Sequence, residues 1–235
     1  MKHFVWGGDT TITIYGDSLL RFVLYENGKY KINREFEKAY SERYGTELDN
    51  RSYFGSTAAK ALHRMRRDAE KERPFGDHCV IEFGGNDCSY DWPKVAAAPD
   101  EQHLSCAEPD EYTENLRAMV CLAYEQGAQP ILCSLPPIHE EKYLRWISRD
   151  LPSMEPLLRW SGGAGIFYRR NEYYSMLNMA LAREMSLPLV DLRRGFLLER
   201  DVGTLLCEDG IHPNRKGQCV LYQAFCEFTE KRRQS

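Results

Sequence analysis

No Cys-x-x-Cys pair occurs in the 235-residue sequence, although it holds 8 cysteines. A paired-thiol redox motif and a zinc knuckle are thereby excluded. Cys79, Cys121 and Cys133 fall in apolar strand-like or helical runs, where a thiol packs as a small core side chain. The cysteines therefore read as reduced structural residues, not as a secreted disulfide framework. No stretch approaches the roughly 18 consecutive apolar residues that a membrane helix needs. The opening segment Met1–Thr10 has no apolar core for a signal peptide and carries acidic Asp9, which predicts a cytoplasmic chain without membrane insertion. A basic excess is missing too: 31 Lys and Arg face 35 Asp and Glu, a formal charge of -4. Nothing draws such a chain towards a phosphate backbone, so nucleic acid is excluded as a first partner. With no internal repeat and no low-complexity linker, residues 1–235 read as one domain. Apolar content of 43% beside 28% charged residues is that of a globular enzyme rather than a disordered or coiled-coil chain.

What is present is alternation. Short apolar runs at Thr11–Tyr15, Glu47–Asn50, His78–Phe83, Pro130–Ser134 and Leu187–Asp191 read as strands. Amphipathic stretches at Glu35–Tyr44, Thr57–Lys71, Asp110–Gln126, Asn171–Met185 and Asn214–Lys231 read as helices. Strands alternating with helices of this length predict an α/β layer structure with a parallel sheet. Two segments depart from the pattern. Asn27-Gly28 stands between β-prone arms over Arg21–Ile32, a hairpin signal. Ile138–Arg170 is long for a connection, rich in Trp, Tyr and Arg, and reads as an insertion that is helical in pieces.

Ligands on parallel sheets sit beyond the carboxyl ends of the strands, and the residues there carry chemistry. Gly16-Asp17-Ser18 follows the first strand, Asn50 to Gly55 the second, and Gly84-Gly85-Asn86-Asp87 the third, while Asp209-Gly-Ile-His212-Pro213 stands near the carboxyl end. Each has a plain alternative. Ser18 suits a helix N-cap, Asp209 to His212 a polar turn before a helix, and Gly55 and Asn86 ordinary turns. Together they supply a hydroxyl, small residues that expose backbone N–H groups, an amide donor and a carboxylate–imidazole pair. Acyl transfer requires that inventory. Pro213 holds His212 extended, so Asp209 can occupy one ring nitrogen while the other faces a serine.

These residues, in this order, resemble the SGNH hydrolases, also called GDSL esterases/lipases. Gly16-Asp17-Ser18 looks like that family's first block, Gly55 its second, Gly84-x-Asn86-Asp87 its third and Asp209-x-x-His212-Pro213 its fifth, and the likeness runs from Thr10 to about Phe228. The resemblance implies Ser18 as nucleophile, His212 as general base and acid, Asp209 as its orienter, and an oxyanion hole of the Ser18 N–H, the Gly55 N–H and the Asn86 side chain. It implies a three-layer α/β/α sandwich with a five-stranded parallel sheet, flavodoxin-like in outline, with no cofactor and no metal. Leu20 stands where many relatives carry Thr or Ser. The hairpin and the insertion are not general to the family, and both follow strand ends, so both are expected to border the site.

Asp17, Asp87, Trp92, Tyr143 and Trp146 are the candidates for substrate contact. Trp160, Phe167 and Tyr168 add further aromatic surface, suited either to a sugar or acyl group or to core and dimer packing. The arginines at 145, 149, 159, 169 and 170 favour a polar alcohol or anionic leaving group over a continuously apolar acyl groove. The expectation is a serine esterase acting on a short acyl ester, acetyl above all, of a carbohydrate or similar polar alcohol. A lysophospholipase or thioesterase remains as an alternative, as does a non-catalytic flavodoxin-like binding module. The partner is a small-molecule ester, with homo-oligomerisation left open. His103 and Cys106 lack the further ligands of a zinc site. Gly162-Gly163-Ala164-Gly165 lacks the Lys-Ser/Thr of a phosphate loop and reads as a turn.

Overall fold

The computed structural model describes residues 10–234, so the segment behind the cytoplasmic expectation, residues 1–9, lies outside the described residues. The described residues open on strand β1 (Thr11–Tyr15) and a two-stranded antiparallel hairpin, β2 (Val23–Glu26) with β3 (Lys29–Ile32). Asn27 and Gly28 hold the hairpin turn, both at positive φ. Helix α1 (Glu35–Tyr44), strand β4 (Glu47–Asn50), helix α2 (Ala58–Glu70) and strand β5 (His78–Ile81) follow. Then come α3 (Trp92–Ala97), α4 (Pro109–Glu125), β6 (Gln129–Cys133), α5 (Glu140–Ile147), α6 (Glu155–Ser161) and α7 (Gly165–Glu184). A two-residue strand β7 (Leu189–Val190), a short α8 (Arg194–Leu197), a 3-10 turn over Val202–Leu205 and α9 (Arg215–Arg233) complete the chain.

The five strands β4, β1, β5, β6 and β7 lie in that order, all parallel. Apolar side chains alternate through the sheet to both faces, as its doubly covered geometry requires. On one face Tyr15, Cys79, Ile81 and Leu132 meet Leu62, Met65, Leu116, Met119 and Leu181 of α2, α4 and α7. On the other Ile12, Ile14, Val80, Ile131 and Val190 meet Tyr40, Tyr44, Leu221 and Phe228 of α1 and α9. Leu20 is part of this second core, a packing residue. A third, smaller cluster lies beneath the insertion, joining Val95, Leu144, Leu157 and Phe167.

Several element bounds differ from the sequence reading, most of all at two helices. Helix α7 starts at Gly165, six positions before Asn171; Gly162 (φ 67) and Gly163 (φ 131) make the turn with Ala164, and Gly165 already opens the helix. Helix α3 has no counterpart in that reading. Its six residues are too few for a helical period to show, and its start is fixed by the Asp91 side chain accepting from the Lys94 N–H at 3.2 Å.

The sheet order places the ends of β1 and β5 side by side, with β4 on the other flank of β1. The first crossover runs from β1 to β4 on one side and the next returns past β1 to β5 on the other, which makes this the switch point where a crevice opens. Gly16 lets the chain turn at that point. A Cβ on it would stand 2.9 Å from Ser52 Oγ and 3.0 Å from the Leu20 Cβ.

Candidate active site

The loop after β1 is shaped by Asp17, whose Oδ1 accepts the Leu19 N–H at 2.8 Å. This small turn raises Ser18 at the sheet edge. From the far end of the chain, the segment Asp209–His212 is folded by the same device: Asp209 Oδ1 accepts the N–H groups of Ile211 and His212, each at 3.0 Å. The other oxygen, Oδ2, is then free to meet His212 Nδ1 at 2.6 Å. His212 Nε2 lies 2.8 Å from Ser18 Oγ. Three residues, the first and last 194 positions apart in sequence, thus form one hydrogen-bonded row, all of them buried.

Burial alone would raise the Asp209 carboxyl, but the hydrogen bond and charge of His212, with the two backbone N–H groups, hold it below the usual carboxylate range. It is therefore ionised at neutral pH and keeps a proton on Nδ1, leaving Nε2 able to accept from the Ser18 hydroxyl. Two rings fix the imidazole from outside. Phe54 lies nearly parallel to it at 5.7 Å and Tyr30 edge-on at 5.2 Å, while the Tyr30 hydroxyl donates to Asp209 Oδ2 at 3.3 Å. Neither ring was singled out from sequence. Tyr30 stands in the hairpin and Phe54 in the loop that holds Gly55, so position in those segments was the signal available.

Gly55 (φ 67) and Ser18 both border the cavity beside the serine hydroxyl, and no protein group among the described residues accepts from either backbone N–H. Two unused donors facing a cavity can hold a developing oxyanion. Asn86 is different. Its Nδ2 donates to Asp17 Oδ2 at 2.8 Å and to the Ser56 carbonyl at 3.2 Å, so both amide hydrogens are engaged. It can reach an oxyanion by releasing Ser56, the longer contact.

Behind these residues lie three carboxyl groups. Glu82 is buried, its Oε2 accepts the Asp17 N–H at 3.4 Å, and its Oε1 has no hydrogen-bond partner among the described residues. Burial, then the Asp17 and Asp87 charges, raise its carboxyl well above the ordinary value. Burial likewise pushes Asp17 up to about 6 and Asp87 up to about 7. Glu82 carries no recognisable motif by itself, which is why sequence reasoning passed over it.

The cavity has a volume of about 180 Å³. Ser18, His212, Gly55 and Asn86 border it, as do Asp17, Trp92 and Tyr143 among the expected substrate contacts. Two of those expectations are corrected. Asp87 does not face the cavity; its Oδ1 accepts the Ala58 N–H at 2.9 Å, tying the start of α2 to the loop after β5. Trp146 packs behind the rim, against Tyr25 at 4.9 Å and Tyr30 at 6.3 Å, and its face is covered by Arg149. The arginine expectation narrows as well. Arg145, Arg149, Arg159 and Arg169 are exposed, the first three beside Glu141, Asp150 and Asp100, and only Arg170 borders the cavity. His103 bonds the Ala98 carbonyl at 2.8 Å.

A hydroxyl–imidazole–carboxylate row beside unused N–H donors, on a parallel sheet between helical layers, defines a serine-hydrolase type of site. The chain belongs to the GDSL-like Lipase/Acylhydrolase family, whose model matches residues 14–219, and it is a carboxylic ester hydrolase. Solved structures share the fold. A lipase/acylhydrolase from Enterococcus faecalis is 19% identical, with TM-score 0.65 over 94% of this chain and 96% of that one. An α/β hydrolase from the metagenome of Lake Arreo, Spain, is 20% identical, with TM-score 0.66 over 97% and 98%. A catalytic mutant of an acetylxylan esterase from Geobacillus stearothermophilus is 19% identical, with TM-score 0.66 over 95% of each chain. No curated protein matches the sequence significantly.

Proposed function

We propose that this hydrolase is a serine esterase that cleaves short-acyl esters of a polar alcohol through an acyl-enzyme on Ser18. The observation that carries the reading is the row Ser18 Oγ–His212 Nε2–Asp209, with contacts of 2.8 and 2.6 Å, opening on a cavity. Ser18 Oγ attacks the ester carbon as its proton passes to His212 Nε2. The carbonyl oxygen becomes an oxyanion held by the Ser18 and Gly55 N–H groups, with Asn86 within reach. Collapse expels the alcohol, which takes the proton from His212. Water then repeats the sequence on the acyl-Ser18 ester, giving up its proton to His212 and releasing the acid. Asp209 stays ionised throughout and balances the imidazolium.

The walls of the cavity support a small acyl group. A volume of about 180 Å³ is below the roughly 300–1,000 Å³ of pockets for drug-sized ligands. One end is open: Phe54 is 56% and Tyr30 39% exposed, and their rings offer an apolar face to a hydrated alcohol. The other end is closed by buried Tyr90 and Phe167. An acyl chain of more than a few carbons would have to displace those rings, and a buried CH₂ returns only about 0.8 kcal/mol. The acetylxylan esterase among the structural neighbours is in keeping with a short acyl group. In a series of nitrophenyl esters from two to twelve carbons, kcat/KM is expected to be highest among the shortest acyl groups and to fall by the octanoate. A steady rise to the long esters would overturn the proposal in favour of a lipase-like or thioesterase reading.

A further inference from the structure

The two ends of the cavity differ in charge as well as in openness. At the open end stand Tyr30 and Phe54, both packed on the His212 ring. At the closed end Tyr90 packs on Trp160 at 4.7 Å and on Trp92 at 5.3 Å. Arg170 lies across Tyr90, 5.4 Å from its ring centre, and donates to its hydroxyl. Arg170 borders the cavity and has no carboxylate within ion-pair distance among the described residues. Glu108 acts on it through charge alone, without an ion-pair contact, and the Glu108 Oε1 is held by the Ser105 N–H at 2.9 Å and the Ser105 hydroxyl at 2.5 Å. A guanidinium has five N–H donors in a planar fork shaped for a carboxylate, and this one spends a single contact on a neutral phenol.

The mechanism assigns the ends. The leaving oxygen must face His212 Nε2 to receive its proton, so the alcohol occupies the end where Tyr30 and Phe54 flank that ring. The acyl group then points to the closed end. On the reading of the chain as a serine esterase, we infer that Arg170 binds a carboxylate at the far end of a short acyl group. The preferred substrates are thus half-esters of small dicarboxylic acids. Such a group supplies the contacting ion-pair partner that Arg170 lacks among the described residues, and a charge-assisted pair in a partly dry site outweighs one lost methyl contact. A longer acyl chain gains nothing there.

The test compares monoethyl glutarate with ethyl valerate, which share five acyl carbons, by proton release. The wild type is expected to prefer the half-ester by about tenfold or more in kcat/KM. Arg170→Gln is expected to lower that ratio about tenfold, chiefly through KM, and Arg170→Lys to keep part of it. Tyr90→Phe removes the phenol partner without touching the charge and is expected to leave the ratio standing. A ratio unchanged in Arg170→Gln, or lowered as far by Tyr90→Phe, would overturn the inference. Should Arg170→Gln fail to fold, the wild type decides alone: glutarate is expected to inhibit ethyl acetate hydrolysis more strongly than valerate, and equal inhibition refutes the site. Failure of the underlying esterase reading looks different, as no turnover of ethyl acetate and no labelling by a fluorophosphonate.

Discussion

Asp209→Asn separates the two tasks of one carboxyl group. Asp209 Oδ1 takes the N–H groups of Ile211 and His212, each at 3.0 Å. Those two donors fix the amide in the variant: its oxygen must stay there, which turns Nδ2 towards His212 Nδ1. Facing an N–H donor, Nδ1 must become the acceptor, so the ring proton moves to Nε2. Nε2 then presents a hydrogen to Ser18 Oγ and can no longer remove one. A serine triad with its imidazole in the wrong tautomer loses about 10⁴-fold in kcat, equivalent to roughly 5.5 kcal/mol of transition-state stabilisation. The fold has little reason to suffer, since every hydrogen bond survives in altered form. Tyr30, which donates to Oδ2 at 3.3 Å, can accept from the second amide hydrogen instead. Hydrolysis of nitrophenyl acetate, measured beside thermal unfolding by circular dichroism, reads both quantities. A folded variant whose kcat lies within tenfold of wild type would refute the reasoning.

Asn86→Ala is expected to cut turnover by roughly 100-fold or more while slow fluorophosphonate labelling persists; wild-type turnover would leave Asn86 with only its ties to Asp17 and Ser56. Glu82→Gln bears on stability. Because the folded Glu82 carboxyl titrates above its unfolded value, the native state binds more protons once pH passes the unfolded value near 4.3. Wild-type stability therefore declines as pH rises, by up to about 1.4 kcal/mol per pH unit from this group. The melting temperature of Glu82→Gln relative to wild type is expected to climb between pH 5 and pH 8, and a constant difference would contradict the assignment. EDTA is expected to leave activity unchanged; loss in chelator and recovery with zinc would point to a metal.

The elements that position the row were legible because their signals are local. The helix at Glu35–Tyr44 and the hairpin turn at Asn27-Gly28 are set by neighbours in sequence, and Asp209 and His212 are three apart. What escaped depends on distant packing. Tyr30 becomes part of the site only because the hairpin folds over residues 179 positions later. Among five arginines in one insertion, nothing in the sequence distinguishes Arg170, which faces inward on the first turns of α7, from Arg145, which stands in water beside Glu141. Trp146 and Trp92 look alike as residue types, yet only Trp92 reaches the cavity, because Trp146 is used up against Tyr25. Asn86 sits in its expected loop, but the commitment of its amide to Asp17 and Ser56 is a three-dimensional fact.

The central claim is that Ser18 is the nucleophile, and covalent labelling tests it most directly. Wild-type protein treated with a fluorophosphonate and mapped by peptide mass spectrometry is expected to carry one adduct, on Ser18. Ser18→Ala is expected to carry none and to lose roughly three or more orders of magnitude in turnover at an unchanged melting temperature. An adduct on another residue, or a folded Ser18→Ala that turns over ester like the wild type, would contradict it.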